Sequence, residues 1–295
     1  MRGRGSDLNE QRFETTLESV HEKCLGAVRK MRRHALEMSM AAGPTGAHLG
    51  GGLSIMEIIA ALYFGTLRYD VQNPRWELRD RFILSKGHGA LAYYAALSLA
   101  GFIDEEELAT FKGNNSNLSG HPHMDLDKGI EFSSGSLGQG LSLGVGSALA
   151  LRMRANDTSR VFVLVGDGEI NEGSIWEAAM SAAHFKLSRL TVIVDKNGLQ
   201  YDGSTQVVMD MGDLTVKWES FGWMTRSLDG HDVAALLDAL QMPHDKPLAV
   251  IAHTVKGKGI SFMENNRLWH HKRLTQAHFE QAMSELTIAE QGDLQ

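Results

Sequence analysis

The sequence predicts an α/β protein with a mostly parallel central sheet and helices on both faces. Short apolar runs alternate along the chain with helical segments of ten or more residues, as is typical of a parallel sheet covered on both sides. Polar residues directly follow two of these runs, residues 161–165 and 190–194. Ligands bind beyond such strand ends in open parallel sheets. The pattern therefore predicts where the functional site lies as well as the fold.

The first hundred residues predict three helices and one strand. Apolar residues recur at steps of three and four from Phe13 to Met31, which indicates an amphipathic helix. A second helix is predicted over 54–66, with Ser54 as its N-cap. The apolar run 82–84 predicts a strand that ends in a Gly-rich turn, and an alanine- and leucine-rich helix follows it.

The segment 112–140 is rich in Gly, Ser, Asn and His. A stretch of this length without regular structure is usually functional or disordered. A helix is predicted after it, over 141–153. The remaining predicted strands are 161–165, 190–194, 223–228 and 248–252. The remaining predicted helices are 174–187, 231–242 and a segment from Thr275, with a polar loop at 200–213.

We expect one structural domain over residues 13–275, preceded by a flexible N-terminus at 1–12 and followed by a C-terminal helix and loose tail at 276–295. The 295 residues are 43% hydrophobic, enough for a sizeable core. The net charge of −7 argues against a nucleic-acid-binding protein. The single cysteine, Cys24, excludes an internal disulfide framework and is expected to be buried. The sequence has no apolar stretch long enough to span a membrane and no secretory signal, so we expect a cytoplasmic protein.

Asp167 and Asn197 each follow the end of a predicted strand. Asp167 lies in a Gly-Asp-Gly turn before a helix, whose free N–H groups suit a phosphate. Mg²⁺ has six ligand positions, and three of them would be filled by the Asp167 carboxylate, the Asn197 amide oxygen and the Leu199 carbonyl. Two diphosphate oxygens and a water would complete the octahedron. The alternative is purely structural, with Asp167 capping the helix and Asn197 closing a turn.

Several histidines lie in Gly-rich or polar loops, namely His48, His88, His121, His270 and His271. A single loop histidine is usually a solvated surface residue, but several in one α/β domain favour a polar pocket that handles protons near neutral pH. Zinc is a weaker alternative, because the histidines lack close ligand spacing. The Gly-rich loop 133–140 can cradle a phosphate or a flat ring, although it matches neither the P-loop nor the Rossmann pattern.

Taken together, these motifs resemble the N-terminal, diphosphate-binding half of transketolases. The motifs that carry the resemblance are GAHLGG (46–51), DRFILSKGHG (80–89), SGHPH (119–123), SSGSLGQG (133–140), GDGEINEGSIWEAA (166–179), DKNGLQYDG (195–203) and the Trp269-His270 pair. They span about residues 15–275 in the family's order. The Gly-Asp-Gly and Asn elements are shared by thiamine diphosphate enzymes in general, whereas the histidine loops are more specific to transketolases.

The resemblance implies thiamine diphosphate as cofactor, bound through Mg²⁺, with Ca²⁺ or Mn²⁺ as substitutes. It implies Asp167, Asn197 and the Leu199 carbonyl as metal ligands. The implied cofactor-binding residues are His48, His88, Gly135, Leu137, Gly166, Asp167, Gly168, Glu169 and Asn197. The implied catalytic residues are His48, His121, His270 and Glu172, the last through a network across the subunit interface. Transketolases usually have His-Gly where this chain has His270-His271, so the register could slip by one. Lys86 and Ser136 are variants to which we assign no role.

The implied activity is transfer of a two-carbon ketol unit from a ketose to an aldose, phosphorylated or otherwise. A complete transketolase has two further domains, so we expect a naturally split enzyme whose partner chain supplies them, as an α2β2 heterotetramer. A truncated chain is the alternative explanation. Three other functions stay open: the first part of a deoxyxylulose-phosphate synthase, the α subunit of a 2-oxoacid dehydrogenase, or a non-catalytic binding subunit of the same fold.

Overall fold

A central sheet of five parallel strands organises the protein. The computed structural model describes residues 5–292, and the side chains of residues 18–291. The strands lie in the order β1-β2-β3-β5-β4. Their bounds are β1 Arg81–Leu84, β2 Val161–Gly166, β3 Leu190–Lys196, β4 Met224–Asp229 and β5 Leu248–His253. All four strand pairs are parallel, which confirms the predicted fold class.

Helices precede, connect and follow the strands. Those before β2 are α1 Gly5–Ala41, α2 Leu49–Leu53, α3 Met56–Ala61, α4 Ala90–Ala100, α5 Glu105–Leu108 and α6 Gln139–Met153. Those after β2 are α7 Gly173–His184, α8 Thr205–Met209, α9 Leu214–Ser220, α10 Val233–Gln241 and α11 Gln276–Gly292. The segment 112–140 contains one short 3₁₀ turn, Leu126–Lys128, among its described residues, in agreement with its predicted irregularity.

The sheet is buried on both faces because successive side chains of a strand point to opposite sides. In β2, Phe162 and Leu164 pack against α1, α3 and α4, whereas Val161, Val163 and Val165 pack against α6 and α7. All six residues of β2 are buried. This explains why the strand reads as a continuous apolar run rather than as an alternating one.

Two local predictions were wrong. Ser54 does not cap the second predicted helix, because α3 begins at Met56 after the N-cap Ile55, and the Ser54 hydroxyl is used elsewhere. The predicted loop 200–213 contains the short helix α8, capped by the Ser204 hydroxyl on the Val207 amide. The helix is only five residues long, too short for a periodic apolar pattern to predict it.

The ends of the described chain are helical. Helix α1 already begins at Gly5, within the segment predicted as flexible, and α11 occupies most of the predicted C-terminal segment. Residues 1–4 and 293–295 lie outside the described part, so the predicted domain limits stay predictions. Cys24 is buried, as expected. None of the described helices combines the length and the apolar character that crossing a membrane requires.

Candidate functional site

The candidate site lies where four parallel strands end. Strands β1, β2, β3 and β5 are neighbours, so their carboxyl ends deliver residues to one edge of the sheet. The Asp167 amide donates to the Asp195 carbonyl at 3.1 Å, and the Thr254 amide to the Lys196 carbonyl at 3.2 Å. The segments that follow these strands are therefore joined by direct backbone hydrogen bonds. This packing brings together residues that are far apart in sequence.

Asp167 and the segment that carries Asn197 are in contact, as their positions at two strand ends predicted. The Asp167 carboxylate accepts the Gly198 amide at 2.6 Å and the Gly168 amide at 2.8 Å. It is 6% exposed and makes no ion pair within the described residues. Burial, together with the charge of Asp195, raises the pKa of Asp167 to about 6. A divalent cation would offset this unfavourable burial of charge.

The oxygens of Asn197 and Leu199 flank Gly198, whose amide contacts Asp167, and they are the other candidate ligands for a cation. The Asn197 amide nitrogen donates to Asp195, which fixes the orientation of the side chain, and its oxygen accepts the Leu199 amide at 3.1 Å. A carboxylate, an amide oxygen and a main-chain carbonyl form a donor set that suits a hard cation. No group of three or more His, Cys, Asp and Glu side chains is arranged to hold a metal ion in the part of the chain that the structure describes.

Asp195 and Lys86 form a buried ion pair at the centre of the site, which the sequence analysis missed. The Lys86 side chain is 1% exposed and that of Asp195 is fully buried. Asp195 also accepts hydrogen bonds from the hydroxyls of Ser54 and Thr254. Lys86 is therefore the counter-ion of Asp195, although the sequence analysis assigned it no role. The signal in the sequence was a charged residue at the end of each apolar run: Asp195 directly follows residues 190–194, and Lys86 lies two positions after residues 82–84.

Lys256 is a second residue that the sequence analysis missed. Its side chain is buried, and Nζ donates to the Leu199 carbonyl at 2.8 Å. The same atom lies 3.0 Å from Nδ1 of His270. Burial, followed by the charge of Lys86, lowers the pKa of Lys256 to about 8. Lys256 thus joins the candidate cation site to the histidines.

The five loop histidines form one cluster around His48. The ring centroid of His48 lies 4.5 Å from that of His271 and 5.5 Å from that of His121. The distances to His270 and His88 are 5.6 and 5.8 Å. An isolated antiparallel bridge between Ala47 and Lys272 holds the two main loops together. The loop histidines thus form a pocket, as the sequence predicted, and the structure adds its arrangement around His48.

His270 lies deeper in the cluster than His271. It is half-buried, 5.3 Å from the ring of His88, and in contact with Lys256, whereas His271 is exposed. Burial lowers the pKa of His48 and of His270 to about 3. It also lowers the pKa of His88 well below its usual value. Neutral imidazoles can donate and accept hydrogen bonds, so the cluster suits substrate hydroxyls.

The free energy of unfolding is expected to fall as the pH drops from about 7.5 to about 5.5. An unfolded histidine takes up a proton near pH 6.5, whereas His48, His88 and His270 in the folded chain do so only at much lower pH. Acid therefore favours the unfolded chain, by up to about 1 kcal/mol for each imidazole that stays neutral. Protonation of Asp167, whose pKa is raised to about 6, acts in the opposite direction but offsets less than one such imidazole. Urea titrations at the two pH values measure this fall.

Replacing His48 with Asn isolates one imidazole's share of that pH dependence. In this variant the unfolding free energy should differ less between the two pH values than in the wild-type chain. For each variant, the unfolding free energy at the higher pH is the internal reference. Equal unfolding free energies for the wild-type chain at both pH values would contradict the prediction.

The Gly-rich loop 133–140 borders the site and is held there by Glu169. The Glu169 carboxylate accepts the amides of Gly138 at 2.9 Å and Gly166 at 3.0 Å, and the Ser85 hydroxyl. Gly138 adopts a φ of +82°, which favours glycine. A Cβ on Gly140 would lie 2.3 Å from the Ser85 Cβ, so only glycine allows this approach. Glu169 thus ties the loop to the strand ends from a buried position.

Three further predicted residues lie at the rim of the site. A Cβ at Gly135 would be 3.5 Å from the His121 Cβ, so the loop contacts the histidine cluster. Leu137 is exposed. Glu172 is also exposed, and its carboxylate makes no hydrogen bond or ion pair within the described residues. Both exposed side chains are free to contact another molecule.

Comparison with known proteins identifies the family. Residues 22–292 match the family described as transketolase, thiamine diphosphate binding domain. An apulose-4-phosphate transketolase subunit of Actinobacillus succinogenes is 42% identical, over 87% of this chain and 94% of that protein. The 6-deoxy-6-sulfo-D-fructose transketolase subunit SqwG of Clostridium sp. is 42% identical, over 81% of this chain and 88% of that protein.

A solved structure supports the same relationship. The transketolase of Campylobacter jejuni superposes with a TM-score of 0.81 at 26% identity, over 91% of this chain. This chain spans only 43% of that transketolase. The match of sequence and fold shows that the chain belongs to the transketolase family and contains its thiamine diphosphate-binding domain.

Proposed function

We propose that this chain is the N-terminal subunit of a two-subunit transketolase, which binds Mg²⁺–thiamine diphosphate and transfers a two-carbon ketol unit from a ketose to an aldose. The observation that carries the proposal is the convergence of Asp167, the Asn197 segment and the histidine cluster at one edge of the sheet. A cation site beside neutral imidazoles suits a diphosphate cofactor and a hydroxyl-rich substrate.

Asp167, Asn197 and the Leu199 carbonyl would hold Mg²⁺, with Ca²⁺ or Mn²⁺ as substitutes. The fit rests on their oxygen donors and on the buried Asp167 carboxylate, which makes no ion pair within the described residues. The Leu199 carbonyl accepts Lys256 Nζ with one lone pair and would use its second lone pair for the ion. His88 and Gly168 would face the diphosphate. Gly135 and Leu137 would lie against the cofactor's rings, while Glu169 and Gly166 would shape this wall through their mutual hydrogen bond.

Bound thiamine diphosphate would supply the electron sink for cleavage of the carbon–carbon bond beside the ketose carbonyl. His48, His121 and His270 would contact substrate hydroxyls and carry protons. Their lowered pKa values keep the rings neutral near pH 7, so each ring can donate one hydrogen bond and accept another from a substrate hydroxyl. His270 is the better candidate than His271, since it lies beside Lys256 and His88.

We infer a partner chain from the lengths of the relatives. The two relatives from Actinobacillus and Clostridium are matched over 94% and 88% of their lengths, whereas this chain spans 43% of the Campylobacter transketolase. The partner would bring the remaining transketolase domains, in an α2β2 heterotetramer. The exposed Glu172 carboxylate is available to meet it. The relatives' names indicate a phosphorylated or sulfonated sugar as substrate. The cytoplasmic location stays a prediction.

The full chain alone is expected to show no ketol transfer, and adding a chain with the remaining domains should produce it. The reason is that, in the proposed assembly, the partner chain supplies the rest of the cofactor site. Thermal unfolding of the mixture with Mg²⁺ and thiamine diphosphate provides a second measurement. Ligand at about 100 times its Kd stabilises a folded protein by about 2.7 kcal/mol.

The control for this experiment omits Mg²⁺ or replaces the cofactor with thiamine. Turnover by the chain alone would refute the need for a partner. A mixture that responds neither in activity nor in thermal stability would favour the non-catalytic binding subunit.

A further inference from the structure

Two side chains, Arg32 and His231, hold the loop that carries Lys256, residues 254–259, from outside the site, and Glu57 joins the two. Arg32 lies on α1, Glu57 on α3, and His231 between β4 and α10. We propose that Arg32, Glu57 and His231 form a clamp that positions Lys256 in the site. The clamp residues are positioning residues: they act through the loop and not by contact with cofactor or substrate. Only the nature of the ligand that Lys256 would face depends on the proposed function.

His231 holds the first peptide group of the loop and has a defined tautomer. Its Nε2 accepts the Val255 amide at 2.8 Å, and its Nδ1 lies 2.9 Å from Glu57 Oε2. A backbone N–H can only donate, so Nε2 must be unprotonated and Nδ1 must carry the proton. Nδ1–H then donates to the Glu57 carboxylate. The imidazole therefore links Glu57 to the backbone beside Lys256.

Arg32 holds the other side of the same loop. Its Nε donates to the Lys258 carbonyl at 3.3 Å, and its guanidinium forms an ion pair with Glu57 Oε1. Glu57 is 5% exposed. Burial opposes its charge, but Arg32 and His231 outweigh burial and hold the pKa of Glu57 below its usual value. The buried carboxylate therefore uses one oxygen for each arm of the clamp.

Lys256 lies between the two clamped peptide groups. The adjacent Gly257 amide donates to the Gly50 carbonyl at 3.0 Å. A Cβ on Gly257 would lie 2.3 Å from the Met263 carbonyl oxygen, and its φ is +79°. The backbone on both sides of Lys256 is thus fixed, and Nζ ends between the Leu199 carbonyl and His270. A shift of the loop would move Nζ away from both.

The strand order explains why the clamp can reach this loop. Strands β4 and β5 are parallel neighbours, so the segments after them lie side by side. The Gly230 amide donates to the His253 carbonyl at 2.7 Å, which places His231 beside Val255. Helices α1 and α3 pack on the same face of the sheet and bring Arg32 and Glu57 to the same point.

Glu57→Gln tests the clamp without removing much volume. The amide oxygen of Gln can satisfy either Arg32 or the His231 Nδ1–H, and the amide nitrogen then faces the other donor. If the imidazole changes tautomer to relieve this conflict, its Nε2–H faces the Val255 amide. Every arrangement therefore loses one arm of the clamp, and the loop should open.

The measurement is the reactivity of lysines toward an amine-acetylating reagent, read by mass spectrometry on the full chain without cofactor. Lys86 is the internal control, because it is equally buried in the site but is held by Asp195 and not by the clamp. In the Glu57→Gln variant we expect Lys256 to react at least about fivefold faster than in the wild-type chain, while Lys86 stays protected. Because no cofactor is present, the result is independent of whether the proposed function is right.

A pair of His231 variants provides the second measurement. This pair tests the proposal even if the Glu57→Gln variant does not fold. In His231→Gln the amide oxygen can reach the position of Nε2 and accept the Val255 amide, whereas Asn is too short to do so. We expect His231→Gln to keep Lys256 protected and His231→Asn to expose it. Lys256 that stays protected in both Glu57→Gln and His231→Asn would overturn the proposal. Simultaneous exposure of Lys86 and Lys256 would overturn it too, because it would show general loosening of the fold.

Discussion

Replacement of Asp167 with Ala is expected to weaken Mg²⁺-dependent binding of thiamine diphosphate by about 100-fold or more while the fold stays intact. Removing a side chain that hydrogen-bonds to a metal ligand typically lowers metal affinity 10–100-fold. Removing a ligand itself should lower the affinity at least as much. The chain should still fold, because removing the carboxylate leaves no counter-charge unpaired within the described residues and removes a buried charge whose pKa is raised, although the Gly168 and Gly198 amides lose an acceptor. Calorimetric titration of the two-chain assembly measures the affinity.

Asp157→Ala is the matched control for this prediction. Asp157 is exposed and precedes β2, at the opposite end of the strand from Asp167. The same chemical change there should leave the affinity for the cofactor unchanged. Wild-type affinity in Asp167→Ala, with circular dichroism showing a folded chain, would refute the assignment of Asp167 as a metal ligand.

Lys86→Met should lower the free energy of unfolding by about 3–5 kcal/mol, the usual cost of removing one partner of a buried ion pair. Met fills a similar volume, so the loss comes mainly from the charge of Asp195. That carboxylate is fully buried and would keep only the Ser54 and Thr254 hydroxyls and the Asn197 amide as partners. Urea unfolding of the cofactor-free chain measures the change.

Two further variants show whether the buried charge is the cause. Adding Asp195→Asn to Lys86→Met should restore part of the stability, because an amide needs no counter-charge. Arg75→Met breaks the exposed ion pair between Arg75 and Asp127 and should cause no measurable loss. A loss for Lys86→Met as small as that for Arg75→Met would show that the buried pair contributes little.

Much of the fold could be predicted from the sequence because the sheet is buried on both faces. Runs such as residues 161–165 must be apolar throughout, and the helices between them must be long enough to cross back. The contact between Asp167 and the Asn197 segment was predictable for the same reason, since residues that follow neighbouring parallel strands meet at one edge. Short helices such as α8 were missed because five residues carry too little periodicity.

The sequence by itself determined the fold class, the edge of the sheet where the site lies, and the transketolase family. Only the tertiary structure decided which charges meet there. Lys86 pairs with Asp195 across 109 positions of the sequence, and Lys256 reaches Leu199 across 57. Such contacts depend on strand order and loop packing, which no local pattern of residues encodes. The sequence predicted a pocket of histidines, but their arrangement around His48 also depends on how the loops pack.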